Sequence, residues 1–303
     1  MGTARGRRPA RMSPRIDVMH DNSFRDLVPA VIEAAAAAGR CIEGVRAEGL
    51  GVATKSDLSP VTRADHEADA LLRERLLALV PAGWLSEETA DAPERLAQQL
   101  LWVVDPLDGT KEFIGGIPEY AVAIALVEEA QPVLSLVHNP ARGDTYWAVR
   151  DHGAFLTQVH TADASQDHQR IRAAEGRNLL ASRSECRSGE FAPFEAAWQI
   201  TSMGSIAYKL AQVACGSAAV TFSRGPKHEW DVCAGALLVS EAGGRVSDVF
   251  GAPLQFNQPF PKVKGILAGA PHAYANALQE LAQIGASARM NELTDPPASL
   301  QRS

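Results

Sequence analysis

The period of the apolar positions changes along the chain, and the changes mark its elements. From Val28 to Arg46 the residues are Ala-rich, with Val31, Ala35, Ile42 and Val45 near one helical face, which predicts a helix. In the stretch KSDLSPVTRADHEADALLRERLLALV (55–80), Pro60 and the preceding Gly51 predict a loop or short hairpin first. Thr62 and Asp65 then have capping-box spacing, with Asp in place of the usual Glu. They open a second helix, whose Leu72, Leu76, Leu79 and Val80 are apolar. GWLSEE (83–88) reads as a short strand and LLWVVD (100–105) as a buried one. After Gly116 the period falls to two: YAVAIALVEE, PVLSLVHNP, DTYWAVR and GAFLT predict consecutive antiparallel strands with short turns.

A polar run, VHTADASQDHQRIRAAE (159–175), interrupts this pattern and marks a domain boundary. Beyond it strands and helices alternate. The strands are NLLAS (178–182), AAVTFS (218–223), RVSDV (245–249) and GILAG (265–269). The helices are one around Phe191–Trp198, then Ser205–Cys215, Trp230–Ala242 and His272–Ile284. The expected organisation is therefore a leader at 1–22, an α+β part at 23–160, an α/β part at 161–287 and a polar tail at 288–303. EAGG (241–244) reads as a helix end with glycine in a left-handed cap.

Composition narrows the classes. With 303 residues, 46% hydrophobic and 21% charged, the chain is of ordinary globular make-up. Its formal net charge of −7 opposes nucleic-acid binding as the main activity, because no excess of Lys and Arg is present to neutralise phosphates. A small anionic ligand would need local compensation. The four cysteines, Cys41, Cys186, Cys215 and Cys233, are scattered without metal-site spacing, which fits a reducing, cytoplasmic setting. The basic opening MGTARGRRPARMSPR is not followed by an apolar run, so it reads as a disordered leader, with Met12 or Met19 as alternative starts. No stretch is apolar for the length of a membrane span.

The candidate chemistry lies in carboxylates at element ends. Glu87 and Glu88 close one strand, Asp105 closes the next, and Asp108 follows across a turn fixed by Pro106 and Gly109. Asp231 opens a late helix. Singly, Glu87 reads as a solvated strand end, Asp105 and Asp108 as turn-formers, and Asp231 as an N-cap. Together they suit a hard cation, which takes oxygen ligands from a few carboxylates, water and substrate. Asp-x-x-Asp across a rigid turn could aim two carboxylates and the Leu107 carbonyl at one point. The N–H groups of Gly109 and Thr110 could receive a phosphate. Two cations about 4 Å apart would clamp a phosphate ester.

These residues carry a resemblance. DPLDGTKEF (105–113) resembles the D-P-[ILV]-D-G-T/S signature of the inositol-monophosphatase superfamily. KSDLSPVTRAD, LSEE and WDVCAGALLVSEAGG (230–244) supply its other blocks in order, across about residues 30 to 285. The resemblance implies an α+β, layered αβαβα sandwich of the sugar-phosphatase fold with two subdomains and the site at their junction. It implies Mg²⁺, two or three ions, on Glu87, Asp105, the Leu107 carbonyl, Asp108 and Asp231. Asp65 and Thr110 would be catalytic, orienting and deprotonating the attacking water. Gly109 and Thr110 would hold the phosphate of a small phosphorylated substrate. Glu88 is the weaker candidate of its pair, and a homodimer is implied.

For substrate, TKEF (110–113) resembles the 3'(2'),5'-bisphosphate nucleotidase branch, which places the chain in sulfur metabolism. Arg224 stands where inositol enzymes have a glutamate for sugar hydroxyls, and its fork suits a second phosphate. Lys209 and Lys227 would join that pocket. The alternatives are inositol monophosphatase activity or, for these cations, plain surface charge. His66 reads as a surface helix residue, and His228 as a loop residue or one that reaches the substrate. Trp84, Trp102 and Trp147 read as packing, and Cys215 and Cys233 as core.

Overall fold

The computed structural model describes residues 21–49, 51–54, 60–158 and 167–294. Helices α1 (Asp21–Asp26) and α2 (Val28–Glu48) lead to a two-stranded hairpin, β1 (Ala53–Thr54) with β2 (Pro60–Val61). Lys55–Ser59, between those strands, and 159–166 of the polar run lie outside the described residues, as does the leader up to His20. Helix α3 (Arg63–Leu79) opens on the expected capping box, with the Thr62 N–H donating to Asp65 Oδ2 at 2.7 Å and Thr62 Oγ1 accepting from the Ala64 N–H.

Strands β3 (Gly83–Ser86), β4 (Leu100–Asp108), β5 (Ala121–Glu128), β6 (Gln131–Asn139), β7 (Asp144–Val149), β8 (Gly153–Gln158) and β9 (Gln169–Ile171) form one sheet in sequence order. A 3₁₀ turn (Pro93–Ala97) joins β3 to β4, and the short α4 (Thr110–Ile114) joins β4 to β5. Only the β3–β4 pair is parallel. Both faces of this sheet are buried, so its strands read as nearly unbroken apolar runs. Trp102, Val104, Val122 and Ile124 face α2 and α3, whereas Leu101, Val103, Ala121 and Ala123 face the other way. Trp102 donates its indole N–H to the Val80 carbonyl, and all three tryptophans of this half are buried packing residues.

The second sheet runs β11-β10-β12-β16-β14, from β10 (Asn178–Ser182), β11 (Gln199–Met203), β12 (Val220–Ser223), β14 (Arg245–Ser247) and β16 (Ile266–Gly269). Strands β13 (Lys227–His228) and β15 (Lys262–Val263) pair apart from it. Helices α6 (Ile206–Ala214) and α7 (Glu229–Glu241) fill the space between the sheets, and α8 (Pro271–Thr294) covers the far face. The result is the expected αβαβα layering. Helix α7 is apolar nearly all round because it is covered on all sides. Gly235 allows α6 to come close, since a Cβ there would lie 2.4 Å from Leu210.

Four expectations change. The helix around Phe191–Trp198 is a 3₁₀ turn at Ala192–Phe194; the aromatics have helical spacing because Phe191, Phe194 and Trp198 all turn into the core of the second sheet's outer layer. The segment before it contains a short helix, α5 (Arg183–Arg187), that periodicity did not reveal. Strand β4 runs on past Asp105 to Asp108 through a register shift. Helix α8 continues to Thr294, through the first part of the expected tail; 295–303 lie outside the described residues. No helix among the described residues is long and apolar enough to cross a membrane.

Candidate active site

A cleft of about 540 Å³ opens where the end of β4 meets the starts of α6 and α7. The register shift in β4 takes Pro106 and Leu107 out of the ladder, while Asp105, opposite Ala123, and Asp108, opposite Ala121, stay paired on either side of it. Asp105 Oδ1 accepts the Leu107 N–H at 3.0 Å, a local turn that fixes the intervening carbonyl. Gly109 follows with φ 98°, and a side chain there would strike the Glu119 carbonyl at 2.8 Å. This turn therefore requires glycine.

Asp65 serves two elements. Its Oδ2 accepts both the Thr62 N–H and the Thr62 hydroxyl at 2.7 Å, which caps α3. Its Oδ1 lies 3.1 Å from the Thr110 hydroxyl, which also stands 3.2 Å from the Leu107 carbonyl. Capping and the expected partnership with Thr110 thus use different oxygens of one buried carboxylate.

Asp108 reaches across to the helical layer between the sheets. Its Oδ2 accepts the Ser205 hydroxyl and the Ala207 N–H, both at 2.6 Å, at the start of α6. Asp231 is not the N-cap of α7; His228 is, and Asp231 lies three residues on, accepting the His228 N–H at 2.9 Å. The imidazole of His228 stacks on Trp230, with ring centroids 4.4 Å apart. Glu87 also lines the cleft. Glu88 has a buried side chain and lies 3.7 Å from exposed His66.

The acidic groups raise one another. Burial, then Glu87, Asp108 and Asp231, hold Asp105 well above the ordinary carboxylate range. Burial pushes Asp108 up to about 6, against the pull of Ser205, Ala207 and Lys209. Asp231 is pushed up to about 8, first by burial and then by Asp108 and Glu87. Asp108 and Asp231 keep a partial opening to the cleft. Clustered, recessed carboxylates of this kind fit divalent cations, whose charge would relieve the repulsion. Among the described residues no three acidic, His or Cys side chains converge as a ready-made cage. A cation held here would take part of its shell from water or substrate oxygens, as Mg²⁺ commonly does.

The predicted basic residues separate. Lys209 and Lys227 line the cleft. Lys209 is buried, its Nζ 3.5 Å from the Met203 carbonyl, and burial brings its pKa down to about 8. Lys227 pairs with Glu185 at 3.3 Å. Arg224 is not among the lining residues; it turns toward Glu190, 3.4 Å away.

Beyond the motif residues, Asp69 and Glu119 brace the site and two arginines line its cleft. Asp69, one turn after Asp65, accepts Ser86 Oγ at 2.5 Å and Thr89 Oγ1 at 2.7 Å, so it brackets Glu87 and Glu88. Its signal was the Asp65–Asp69 spacing of one helical turn. Glu119 accepts from Arg183 (Nη1, 3.0 Å) and from the Gly204 N–H (2.9 Å), joining α5 to the turn that carries Ser205. Arg183 and Arg187 enter the cleft from α5.

The comparisons agree with this architecture. The inositol monophosphatase family model matches residues 25–286. A 3'(2'),5'-bisphosphate nucleotidase CysQ of Aggregatibacter actinomycetemcomitans is 33% identical over 240 residues, 77% of this chain and 88% of that protein. A histidinol-phosphatase of Streptomyces coelicolor is 34% identical over 245 residues, 75% of this chain and 88% of that one. The crystal structure of the extragenic suppressor protein SuhB from Bartonella henselae superposes with a TM-score of 0.71 at 29% identity, covering 84% of this chain and 98% of that one. The chain belongs to the inositol monophosphatase family, whose members are phosphatases.

Proposed function

We propose that the protein is a Mg²⁺-dependent phosphomonoesterase whose preferred substrate is a nucleoside 3',5'-bisphosphate, such as adenosine 3',5'-bisphosphate. The observation that carries the reading is the recessed cluster Asp105, Asp108 and Asp231, whose carboxylates are raised by burial and by each other next to the Asp65–Thr110 pair. Glu87, Asp105, Asp108, Asp231 and the Leu107 carbonyl would hold two or three cations. When bound, these would withdraw charge from the phosphate oxygens and make a nearby water more acidic. The chain's own groups do the rest. The backbone of Gly109 and Thr110 receives the phosphate. The Thr110 hydroxyl orients the attacking water and accepts a proton from it while passing its own to Asp65 Oδ1. The water oxygen bonds to phosphorus, the ester P–O bond breaks, and the leaving alkoxide is protonated from solvent.

The choice of substrate is supported by the TKEF sequence after the turn, by the nucleotidase relative and by the cations at the cleft. A histidinol phosphate, with its ammonium group, would meet those cations with the wrong sign. Inositol 1-phosphate has no second anion for them to hold.

The test is phosphate release from adenosine 3',5'-bisphosphate and from inositol 1-phosphate, with and without a chelator and in Asp108→Asn. Expected are a higher kcat/KM for the bisphosphate, loss of activity on chelation, and a fall of at least about 100-fold in the variant. Activity that survives chelator or Asp108→Asn defeats the metal assignment. A clear preference for the inositol ester replaces the substrate.

A further inference from the structure

Five cations line the cleft: Lys111, Arg183, Arg187, Lys209 and Lys227. Three of them already answer to a carboxylate of the protein. Arg183 is held by Glu119 through two nitrogens and lies 3.9 Å from Glu112. Lys227 is paired with Glu185, which also takes the Ser223 hydroxyl. Lys209 is buried against the Met203 carbonyl, within the fields of Glu185 and Asp108. Lys111 and Arg187 differ: both are exposed, and neither has an ion pair with a described residue. They approach the cleft from two walls, Lys111 from α4 and Arg187 from α5. The Arg183 contacts to Glu112 and Glu119 tie those walls together.

A charge arranged in this way has a consequence for binding. The inner cations offset fixed carboxylates, so they add little net attraction for a distant part of a substrate. Uncompensated cations at the mouth do attract an anion, and an arginine fork matches phosphate oxygens. We infer that Lys111 and Arg187 form the subsite for a second phosphate of the substrate, outside the group being hydrolysed, and that they set the preference for bisphosphates. This inference rests on the nucleotidase reading above and moves its specificity from Arg224 to the α4 and α5 walls.

The test uses the full chain and a matched pair, adenosine 3'-phosphate and adenosine 3',5'-bisphosphate, which differ only in the second phosphate. Wild type should show about a 10-fold or greater advantage in kcat/KM for the bisphosphate. In Arg187→Ala and in Lys111→Gln that advantage should shrink to about threefold or less, through KM, while adenosine 3'-phosphate is hydrolysed within about twofold of wild type. If wild type has the advantage and both variants keep it, the subsite is refuted and the nucleotidase reading stands. If wild type shows no advantage, the nucleotidase reading itself fails and takes the subsite with it. Equal losses on both substrates would assign the two residues to the scissile phosphate and also overturn the proposal.

Discussion

The floor and the mouth of the cleft are built in opposite ways. The floor carboxylates are recessed and fixed by backbone and hydroxyl donors: Asp105 by Leu107, Asp108 by Ser205 and Ala207, Asp231 by His228. The mouth cations Lys111 and Arg187 stand exposed, on helices of five residues each. Recessed groups in fixed positions give the preorganisation that phosphoryl chemistry requires. Exposed ones give attraction without rigid geometry, which suits selection among substrates. In the proposed reading, chemistry and selectivity thus fall to separate walls, joined by Glu119.

The largest effect that sharpens this contrast concerns the floor without cations. Asp108 and Asp231 have folded values of about 6 and about 8, above the usual 3.8. A carboxyl raised in the folded state stabilises it fully below the unfolded pKa, and that contribution disappears as pH rises through the folded pKa. In chelator, the protein should therefore lose a few kcal/mol between about pH 4 and pH 8, seen as a Tm lower by about 5 °C or more at pH 8 than at pH 5.5. Millimolar Mg²⁺ should restore most of it at pH 8. A Tm that is flat or rises over this range in chelator would mean that the floor stores no such repulsion.

The next effect concerns how the floor is held. Asp69 anchors Ser86 and Thr89 on either side of Glu87. Asp69→Asn keeps the shape and one acceptor oxygen but removes the charge and one of the two acceptors. Outer residues of this sort typically change metal affinity by about 10- to 100-fold. The Mg²⁺ concentration for half-maximal activity should rise about 10-fold, while kcat at saturating Mg²⁺ stays within about threefold. A fall in kcat with an unchanged Mg²⁺ requirement would show that Asp69 supports something other than the ligand wall.

The two walls also differ in how far the sequence reveals them. The floor is written in short spacings: Asp-x-x-Asp with Pro and Gly between, Thr-x-x-Asp at a helix start, Glu-Glu after a strand. Such spacings survive in one dimension because the turn or cap that uses them is local. Asp69 was legible in principle by the same logic, one turn from Asp65. The mouth depends on chain segments far apart. Helix α5 is too short to show a period, and the pairing of Arg183 with Glu119 spans 64 residues. The strands of the first sheet were readable as apolar runs of strand length bounded by turns, whereas Phe191, Phe194 and Trp198 have helical spacing over a segment that forms only a 3₁₀ turn.

Arg224 gives the smallest predicted effect and the sharpest use of the contrast. Counting back from Asp231 locates this residue along the chain but not the direction of its side chain. In the fold it follows β12 directly and turns to Glu190, an exposed pair of a kind that contributes about 1 kcal/mol or less to stability. It faces neither the floor nor the cations that line the mouth. Arg224→Ala should leave kcat/KM for both adenosine 3'-phosphate and adenosine 3',5'-bisphosphate within about twofold, and shift Tm by no more than about 3 °C. A selective loss on the bisphosphate would show that Arg224 swings from Glu190 to the substrate. Selectivity would then belong to a residue that moves on binding, and the separation of walls would hold only for the free enzyme.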